Sequence, residues 1–295
     1  MSEPRNHHYV PQFYLRAFAT DDGKKKIGTL ARSGDFAVWA ERSIATLGCE
    51  RDLYVHMRNG IPVSTETRIN TNVEMPISQS ETWRKIVSGR SDLLDSSDKP
   101  ILYSLIRHLE VRTLTFMDTL ERLKAQAEHS DNSHRFSDEE RFMYALVRDP
   151  NLGKMMLNTM SASLDWTKES YHGCGISIIR TRIPIWSSTA PVLPIPVPYD
   201  SRIHTFADLA PHQHILPLNR TTIATLVLGD FCDGFANSEV SDDVAKALRR
   251  YYIGQFLEFA SVRHLITDFD QQFLEDMEWA GKTEKFSGRR AKFRN

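Results

Sequence analysis

The sequence predicts an α+β fold, in which a helical middle region and C-terminal helices pack on a mostly antiparallel sheet. Apolar residues recur at helical spacing between residues 65 and 165. The stretches on either side are rich in β-branched residues and turn signals. Of the 295 residues, 41% are hydrophobic, which is enough to form a substantial core. We therefore expect a single α+β domain over residues 1–281 and a basic, flexible tail over residues 282–295.

The first predicted elements are two strands joined by a tight turn. The runs Ile27 to Ala31 and Phe36 to Trp39 flank the turn residues Ser33, Gly34 and Asp35. This combination is typical of a β-hairpin.

The middle region is predicted to be helical. Ser64 is a suitable N-cap for apolar residues at helical spacing, and Pro76 should kink or split the segment, so we expect helices near residues 65–75 and 78–88. The clearest helical stripe runs from about Lys99 to Glu128, capped by Asp98. Two further helices are predicted, at 137–146 and 155–164.

The C-terminal part combines strands with two helices. The β-rich runs are 176–179, 183–186, 215–218 and 223–229. Helices are expected from Ser241 to about Ile266 and from Phe269 to Gly281.

Composition narrows the class of protein. The formal net charge is -1, which argues against a nucleic-acid coat or a membrane-surface protein. The three cysteines are widely separated, a pattern that fits a reducing compartment better than a disulfide framework. Since no apolar run approaches the length of a membrane span, we expect a cytoplasmic protein with no membrane partner.

The stretch from Asn6 to Phe18 is the most informative part of the chain. It holds two imidazoles, two amides, one guanidinium and four aromatic rings around one proline. Neighbouring side chains of an extended segment point to opposite faces, so one of His7 and His8 should be structural. We choose His8 as the candidate base or metal ligand, with Gln12 and Arg16 as candidate catalytic residues of the same signature.

Glu66 and Glu74 form a second candidate group with Asn70 midway between them. Residues eight apart on an unbroken helix return to roughly the same side, so with His8 these oxygens could bind Mg²⁺ or Mn²⁺. A solvated helix face explains the same spacing equally well.

Arg112 falls inside the apolar stripe of the long helix, where a hydrophobic residue is expected. A guanidinium binds a carboxylate or a phosphate in a bidentate manner, so Arg112 is a candidate for stabilising a phosphate. The structural alternative is a buried pair between Arg112 and Glu66 or Glu74.

Three other patterns carry weaker signals. His212 and His214 have the spacing of two residues on one face of a strand. Ser187 to Thr189 lies beside apolar strands, but no base is placed near it. The tail carries six Lys or Arg residues interleaved with two phenylalanines, so a nucleic acid is a candidate partner through this tail and Arg112. A protein partner or a homo-oligomer is the other expectation.

The run from His7 to Arg16 resembles the opening signature of the microbial proteins grouped as the domain of unknown function 4238 family. Later parts of the chain also resemble blocks of that family: Leu53-Tyr54, Glu66 with Glu74, Arg112, Ile215 to Leu218 and Ala260 to Ile266. The family carries no established activity, so the resemblance implies an architecture and a candidate site but no reaction.

One block departs from the family pattern. Relatives usually have Ser-Asp-x-Pro where this chain has Ser188, Thr189, Ala190 and Pro191. If the aspartate acts in catalysis, this member is impaired; if it only caps a turn, Thr189 can replace it. We favour the second reading, because Asp and Thr both bond to backbone at turns.

Two functions follow from these residues. The first is a metal-assisted phosphodiester hydrolase, such as a nuclease or a toxin- or defence-type effector, with His8, Glu66 and Glu74 as metal ligands and Arg16 or Arg112 near the phosphate. The second is a non-catalytic ligand- or protein-binding regulatory module, in which the histidine signature is structural.

Overall fold

A computed structural model describes residues 6–118, 125, 173–196, 212–228 and 234–294. Its described strands, in chain order, are β1 (Asn6–His8), β2 (Lys26–Ser33), β3 (Phe36–Ser43), β4 (Cys49–Arg51), β5 (Val55–Arg58), β6 (Ile61–Ser64), β7 (Cys174–Arg180), β8 (Ser187–Ser188), β9 (Leu193–Pro196), β10 (His212–Asn219), β11 (Thr222–Leu228), β12 (Gly234–Glu239), β13 (His264–Ile266) and β14 (Arg290–Lys292). The described α-helices are α1 (Gln12–Leu15), α2 (Glu66–Ile69), α3 (Met75–Gln79), α4 (Glu81–Val87), α5 (Lys99–Val111), α6 (Asp242–Glu258) and α7 (Gln271–Ala280). The α+β class is confirmed.

The predicted hairpin is the centre of the first sheet. Strands β2 and β3 pair antiparallel, and Gly34 takes a positive φ of 57° at the turn between them. The complete order is β14-β3-β2-β13-β8, with every neighbouring pair antiparallel. The hairpin prediction is therefore confirmed.

The second five-stranded sheet has the order β12-β7-β11-β10-β9. Its neighbours are antiparallel except β12 and β7, which run parallel. The single, mostly antiparallel sheet predicted from the sequence is therefore wrong in number, because the hairpin and strands β7, β10 and β11 lie in two separate sheets. Two apolar clusters each contain residues of both sheets: Ile27 and Ile176 lie in the first cluster, and Trp39 and Ile223 lie in the second. The pairing of distant strands is not visible in local sequence patterns.

Two further C-terminal expectations differ from the structure. Helix α6 ends at Glu258, and the residues expected to extend it include strand β13, which pairs with both β2 and β8. The run 183–186 forms no strand; Ile185 donates a backbone hydrogen bond of 2.7 Å to Arg220, and Trp186 is buried in the second cluster.

Residues of the expected flexible tail lie in the first sheet. Strand β14 pairs with β3, and Ala291 is buried. The guanidinium of Arg290 stacks on Phe36, with its central carbon 3.4 Å from the ring centroid. The basic composition suggested a solvated chain, but pairing of the backbone with an edge strand overrides that local signal.

The helical region begins with α2 and continues through a π turn (Asn70–Glu74) into α3. Pro76 is accommodated in the first turn of α3, where its missing N–H is tolerated. The break falls at Ser80, whose hydroxyl accepts a hydrogen bond of 3.1 Å from the N–H of Trp83 and caps α4. The boundary predicted at Pro76 is thus shifted by four residues.

The long helix predicted from Lys99 is interrupted. Helix α5 ends at Val111, residues 112 and 113 form a turn, and 114–118 are helical again. The rest of this predicted helix, apart from residue 125, and the helices predicted at 137–146 and 155–164 lie outside the described residues.

The N-terminal signature packs into the first apolar cluster. Its buried members there are Tyr9, Val10, Tyr14, Leu15 and Phe18. In the part of the chain that the structure describes, no helix has both the length and the apolar character needed to cross a membrane.

Candidate functional site

The signature is held in place by a tight backbone contact. Strand β1 pairs with β4, and the N–H groups of Tyr9 and Val10 donate to the carbonyl of Gly48 at 2.8 and 3.1 Å. Gly48 has a φ of 65°, and a Cβ atom at this position would lie 2.8 Å from the Cβ of Val10. Only glycine allows this approach without a shift. The chain then turns at Pro11 into α1.

The two histidines of the signature have different roles. His7 is fully buried, its Nδ1 accepts a hydrogen bond of 2.8 Å from the N–H of Tyr54, and its ring stacks on the Tyr54 ring. His8 is only partly buried. As predicted, the pair divides into one structural residue and one residue nearer the surface.

His8 begins a polar row along α1. Its Nε2 lies 3.3 Å from the carbonyl oxygen of Ala45 and 3.3 Å from Nε2 of Gln12, so the tautomer decides which contact is a hydrogen bond. Gln12 in turn accepts a hydrogen bond of 3.0 Å from the exposed Arg16. Burial lowers the pKa of His8, which favours the neutral imidazole. A neutral imidazole can accept a proton.

Arg112 lies at the centre of a buried polar cluster. Its side chain is 0% exposed. Its Nε donates to the hydroxyl of Tyr54 at 2.9 Å, and its Nη1 donates to Glu74 and lies 2.9 Å from Nε2 of His108. The structural alternative for Arg112, a buried pair with a glutamate, is what the geometry shows.

The other side of the guanidinium faces β1 and α2. Nη2 of Arg112 donates to the carbonyl of His8 and lies 3.8 Å from Oε2 of Glu66. Glu66 also accepts a hydrogen bond of 3.4 Å from the N–H of His8. One guanidinium therefore ties the signature, α2, the π turn and the end of α5 together.

The cluster holds two carboxylates and one guanidinium. Glu66 and Glu74 have side chains only 16% and 14% exposed. Burial raises the pKa of Glu66 to about 7, helped by the charge of Glu74 and opposed by Arg112. Burial and the neighbouring Arg112 hold the pKa of His108 well below its ordinary value, so this imidazole is neutral.

The sequence-predicted residues converge only in part. Glu66, Glu74, Arg112 and the backbone of His8 meet in the buried cluster, and Gln12 and Arg16 adjoin it through the His8 ring. Asn70, predicted to share the glutamates' face, is exposed. The hydroxyl of Tyr54 was missed as a partner of Arg112, although its block was already recognised in the resemblance.

The residues proposed as metal ligands do not fit a metal site. Within the described ranges, no group of three or more His, Cys, Asp or Glu side chains is arranged to hold an ion. The carboxylates of Glu66 and Glu74 face the Arg112 guanidinium, which takes the position that a bound cation would need.

A large open cleft, which was not anticipated, is lined by Glu110 near the end of α5. The α5–α6 cleft has a volume of about 990 Å³. Its walls come from the end of α5 and the residues after it, from the residues before β9, from α6 and the residue that follows it, and from α7. Among the lining residues are Glu110, Phe116, Val192, Tyr251, Phe259 and Trp279. No motif marks these residues, because they come together only through tertiary packing.

Residues of the three weaker sequence patterns make structural contacts in the part of the chain that the structure describes. The Thr189 hydroxyl accepts a hydrogen bond of 3.1 Å from the N–H of His264, so it bonds to strand β13 and not to a local turn. His214 is buried, with Nδ1 3.2 Å from Glu110. The tail residue Phe293 packs against the guanidinium of Arg32 at 5.1 Å.

Comparison with known proteins identifies a family and no characterised relative. No curated protein and no solved structure matches the chain. A family model described as "Protein of unknown function (DUF4238)" matches residues 6–194. The match covers more than half of the sequence and includes the signature, Glu66, Glu74 and Arg112. The chain therefore belongs to the DUF4238 family.

Proposed function

We propose that the protein is a non-catalytic ligand-binding module, in which the histidine signature is a structural clasp and the α5–α6 cleft receives the ligand. The observation that carries this proposal is the position of Arg112. The guanidinium is fully buried, and Nε, Nη1 and Nη2 each have a partner within the protein. A side chain that is buried and engaged at all three nitrogens supports the fold and is not exposed to a substrate.

The clasp and the cleft share the end of helix α5. Arg112 points inward to the signature, whereas Glu110 and Thr113 line the cleft. Glu110 is also held by Arg107 at 2.5 Å and by His214 at 3.2 Å. The clasp thus fixes one wall of the cleft, which is the arrangement expected of a preformed binding site.

The cleft has the size and lining typical of a small-molecule site. Its volume of about 990 Å³ is at the upper end of the range for drug-sized ligands. Aromatic residues project into it, among them Trp279, which is 60% exposed. Exposed aromatic surface beside a concave, mostly apolar wall favours binding of an apolar ligand body.

The test is a titration with N-phenyl-1-naphthylamine, a neutral apolar dye whose fluorescence rises on binding. Gly254 lines the cleft, and a Cβ atom there would meet no atom within 4 Å. The Gly254→Phe variant should therefore fold and fill the cleft, weakening dye binding at least about tenfold. Gly234→Phe is the matched control, because Gly234 also has open space but lies on strand β12.

The control should bind the dye as the natural chain does. Absence of dye binding by the natural chain, or equal binding by both Phe variants, would overturn the proposal. Thermal unfolding of each variant shows whether it is folded at the temperature of the titration.

The second candidate function is a phosphodiester hydrolase of the nuclease or toxin type. The observation that favours it is the row of His8, Gln12 and Arg16 near the surface, in which Gln12 links an imidazole of lowered pKa to an exposed guanidinium. His8 would accept a proton from the attacking water, and Arg16 would bind the phosphate. Since the described residues do not fit Mg²⁺ or Mn²⁺, no step is assigned to a metal.

This candidate predicts cleavage of RNA or DNA that His8→Ala abolishes and Glu81→Gln leaves unchanged. The assay is run with and without Mg²⁺ and Mn²⁺, and calorimetry measures binding of each ion separately. Binding of the same nucleic acids to the tail is measured by gel shift with Lys292→Gln. A chain that neither cleaves nor binds nucleic acid rules this candidate out.

A further inference from the structure

We propose that the ligand of the α5–α6 cleft is an amphipathic anion, with an apolar body and one acidic headgroup bound by Arg250. This inference rests on the proposed function, because it names the chemical class of the ligand in the same cleft. It is carried by the way Asp276 and Trp279 hold the Arg250 side chain.

Arg250 is oriented before any ligand arrives. Its Nε donates to Oδ1 of Asp276 at 3.3 Å, and its guanidinium carbon lies 4.7 Å from the centroid of the Trp279 ring. Asp276 is fully buried, whereas the Arg250 side chain is 40% exposed. A buried carboxylate on one edge and an aromatic ring on one face restrict the guanidinium to a single plane.

The terminal nitrogens of Arg250 remain available to a ligand. Within the described ranges, its Nη1 and Nη2 have no hydrogen-bond acceptor. Two parallel N–H groups of a guanidinium match the two oxygens of a carboxylate, sulfonate or phosphate. The cleft therefore presents an oriented and incompletely satisfied cation to its contents.

The other charges around the cleft limit the ligand to a single acidic group. Glu110 is already paired with Arg107 and His214. Glu258 lies eight residues after Arg250 on α6, about 12 Å along the helix axis. A headgroup at Arg250 is well separated from Glu258, but a second acidic group at that distance would meet a like charge.

The space between the two charged ends suits an apolar body. Gly254 lies midway between them on α6 and leaves the helix surface open to close approach. The facing wall carries Val192 and Pro194, and the ring of Phe259 also lines the space. Burial of apolar ligand surface in this space favours binding.

Two dyes that differ only by one sulfonate group test this proposal. N-phenyl-1-naphthylamine is neutral, and 8-anilinonaphthalene-1-sulfonate is the same ring system with one sulfonate. Arg250→Gln should weaken binding of the sulfonate about tenfold and change binding of the neutral dye less than twofold. Arg289→Gln is the matched control, since Arg289 also stacks on a tryptophan, Trp39, at 4.7 Å but does not line the cleft.

The outcomes separate this inference from the proposed function. If the natural chain binds neither dye, the proposed cleft function fails together with this inference. If it binds the neutral dye but the sulfonate is excluded or is insensitive to Arg250→Gln, only the anion assignment is overturned. Equal weakening of both dyes by Arg250→Gln also overturns it, because Arg250 would then act on the shape of the cleft.

Discussion

The Nε atom of Arg112 donates a hydrogen bond of 2.9 Å to the hydroxyl of Tyr54, and the guanidinium carbon lies 5.2 Å from the centroid of the same ring. Tyr54 also offers its backbone N–H to His7. The two residues thus connect the end of α5 to the N-terminal signature through one aromatic ring.

Arg112→Met should destabilise the protein by about 3–5 kcal/mol, because it leaves Glu66 and Glu74 buried without their cation. Urea unfolding at neutral pH measures the loss. Arg84→Met is the control, since Arg84 pairs with Glu81 on the surface and both side chains are more than half exposed. A loss below about 1 kcal/mol for Arg112→Met would show that the Arg112 cluster does not hold the signature in place.

The two signature histidines should respond differently to alanine. His7→Ala removes a buried ring that accepts a backbone hydrogen bond, so a loss of about 2–4 kcal/mol is expected. His8→Ala removes a partly exposed ring with contacts of 3.3 Å, so about 1 kcal/mol or less is expected. Denaturant unfolding compares the two variants, and equal losses would contradict the assignment of His7 as the structural residue.

Gly48→Ala should destabilise the protein by about 2–4 kcal/mol. The substitution forces a positive φ on a residue with a Cβ atom and places that atom 2.8 Å from the Cβ of Val10. Thermal unfolding measures the change. Gly34→Ala is a matched control for the φ contribution, since Gly34 has a φ of 57° but open space around it. If Gly48→Ala costs no more stability than Gly34→Ala, the contact with Val10 does not contribute to the loss.

Glu66→Gln should make the protein more stable relative to the natural chain as pH rises from about 4.5 to about 7. Burial raises the pKa of Glu66 from 4.5 to about 7, so the folded state holds this proton more tightly than the unfolded state. Rising pH therefore removes stability from the natural chain across this window, by about 3 kcal/mol in total, and the amide has no such dependence.

The quantity to measure is the difference in unfolding free energy between the variant and the natural chain at several pH values. The lowered pKa of His108 has the opposite effect, because the folded state loses stability as pH falls below 6.5 and the unfolded histidine takes up a proton. This contribution is present in both the variant and the natural chain, so it cancels in the difference between them. Glu81→Gln is the exposed control. A difference that stays flat between pH 4.5 and 7 would contradict the raised pKa of Glu66.

Local patterns were sufficient where an element depends on its own residues. The hairpin of β2 and β3 was predicted from two β-rich runs that flank the turn at Gly34. The helix predicted from Phe269 to Gly281 corresponds to α7, and Gly281 ends it with a φ of 65°. The end of α6 and the start of β13 were missed, and the helix was predicted to continue to Ile266. The three residues of β13 form a strand because they pair with β2 and β8, which are distant in sequence.

The sequence by itself determined the α+β class, the family and the importance of the His7 to Arg16 signature. Those conclusions depend on residue types and periodicity, which the chain carries locally. Only the tertiary structure decided that Arg112 donates its hydrogen bonds to Tyr54, Glu74 and the backbone of His8. It also decided that Arg250 and Trp279 border an open cleft. Burial and partner choice arise from contacts between residues far apart in sequence, so spacing along the chain cannot specify whether a guanidinium completes the fold or faces a ligand.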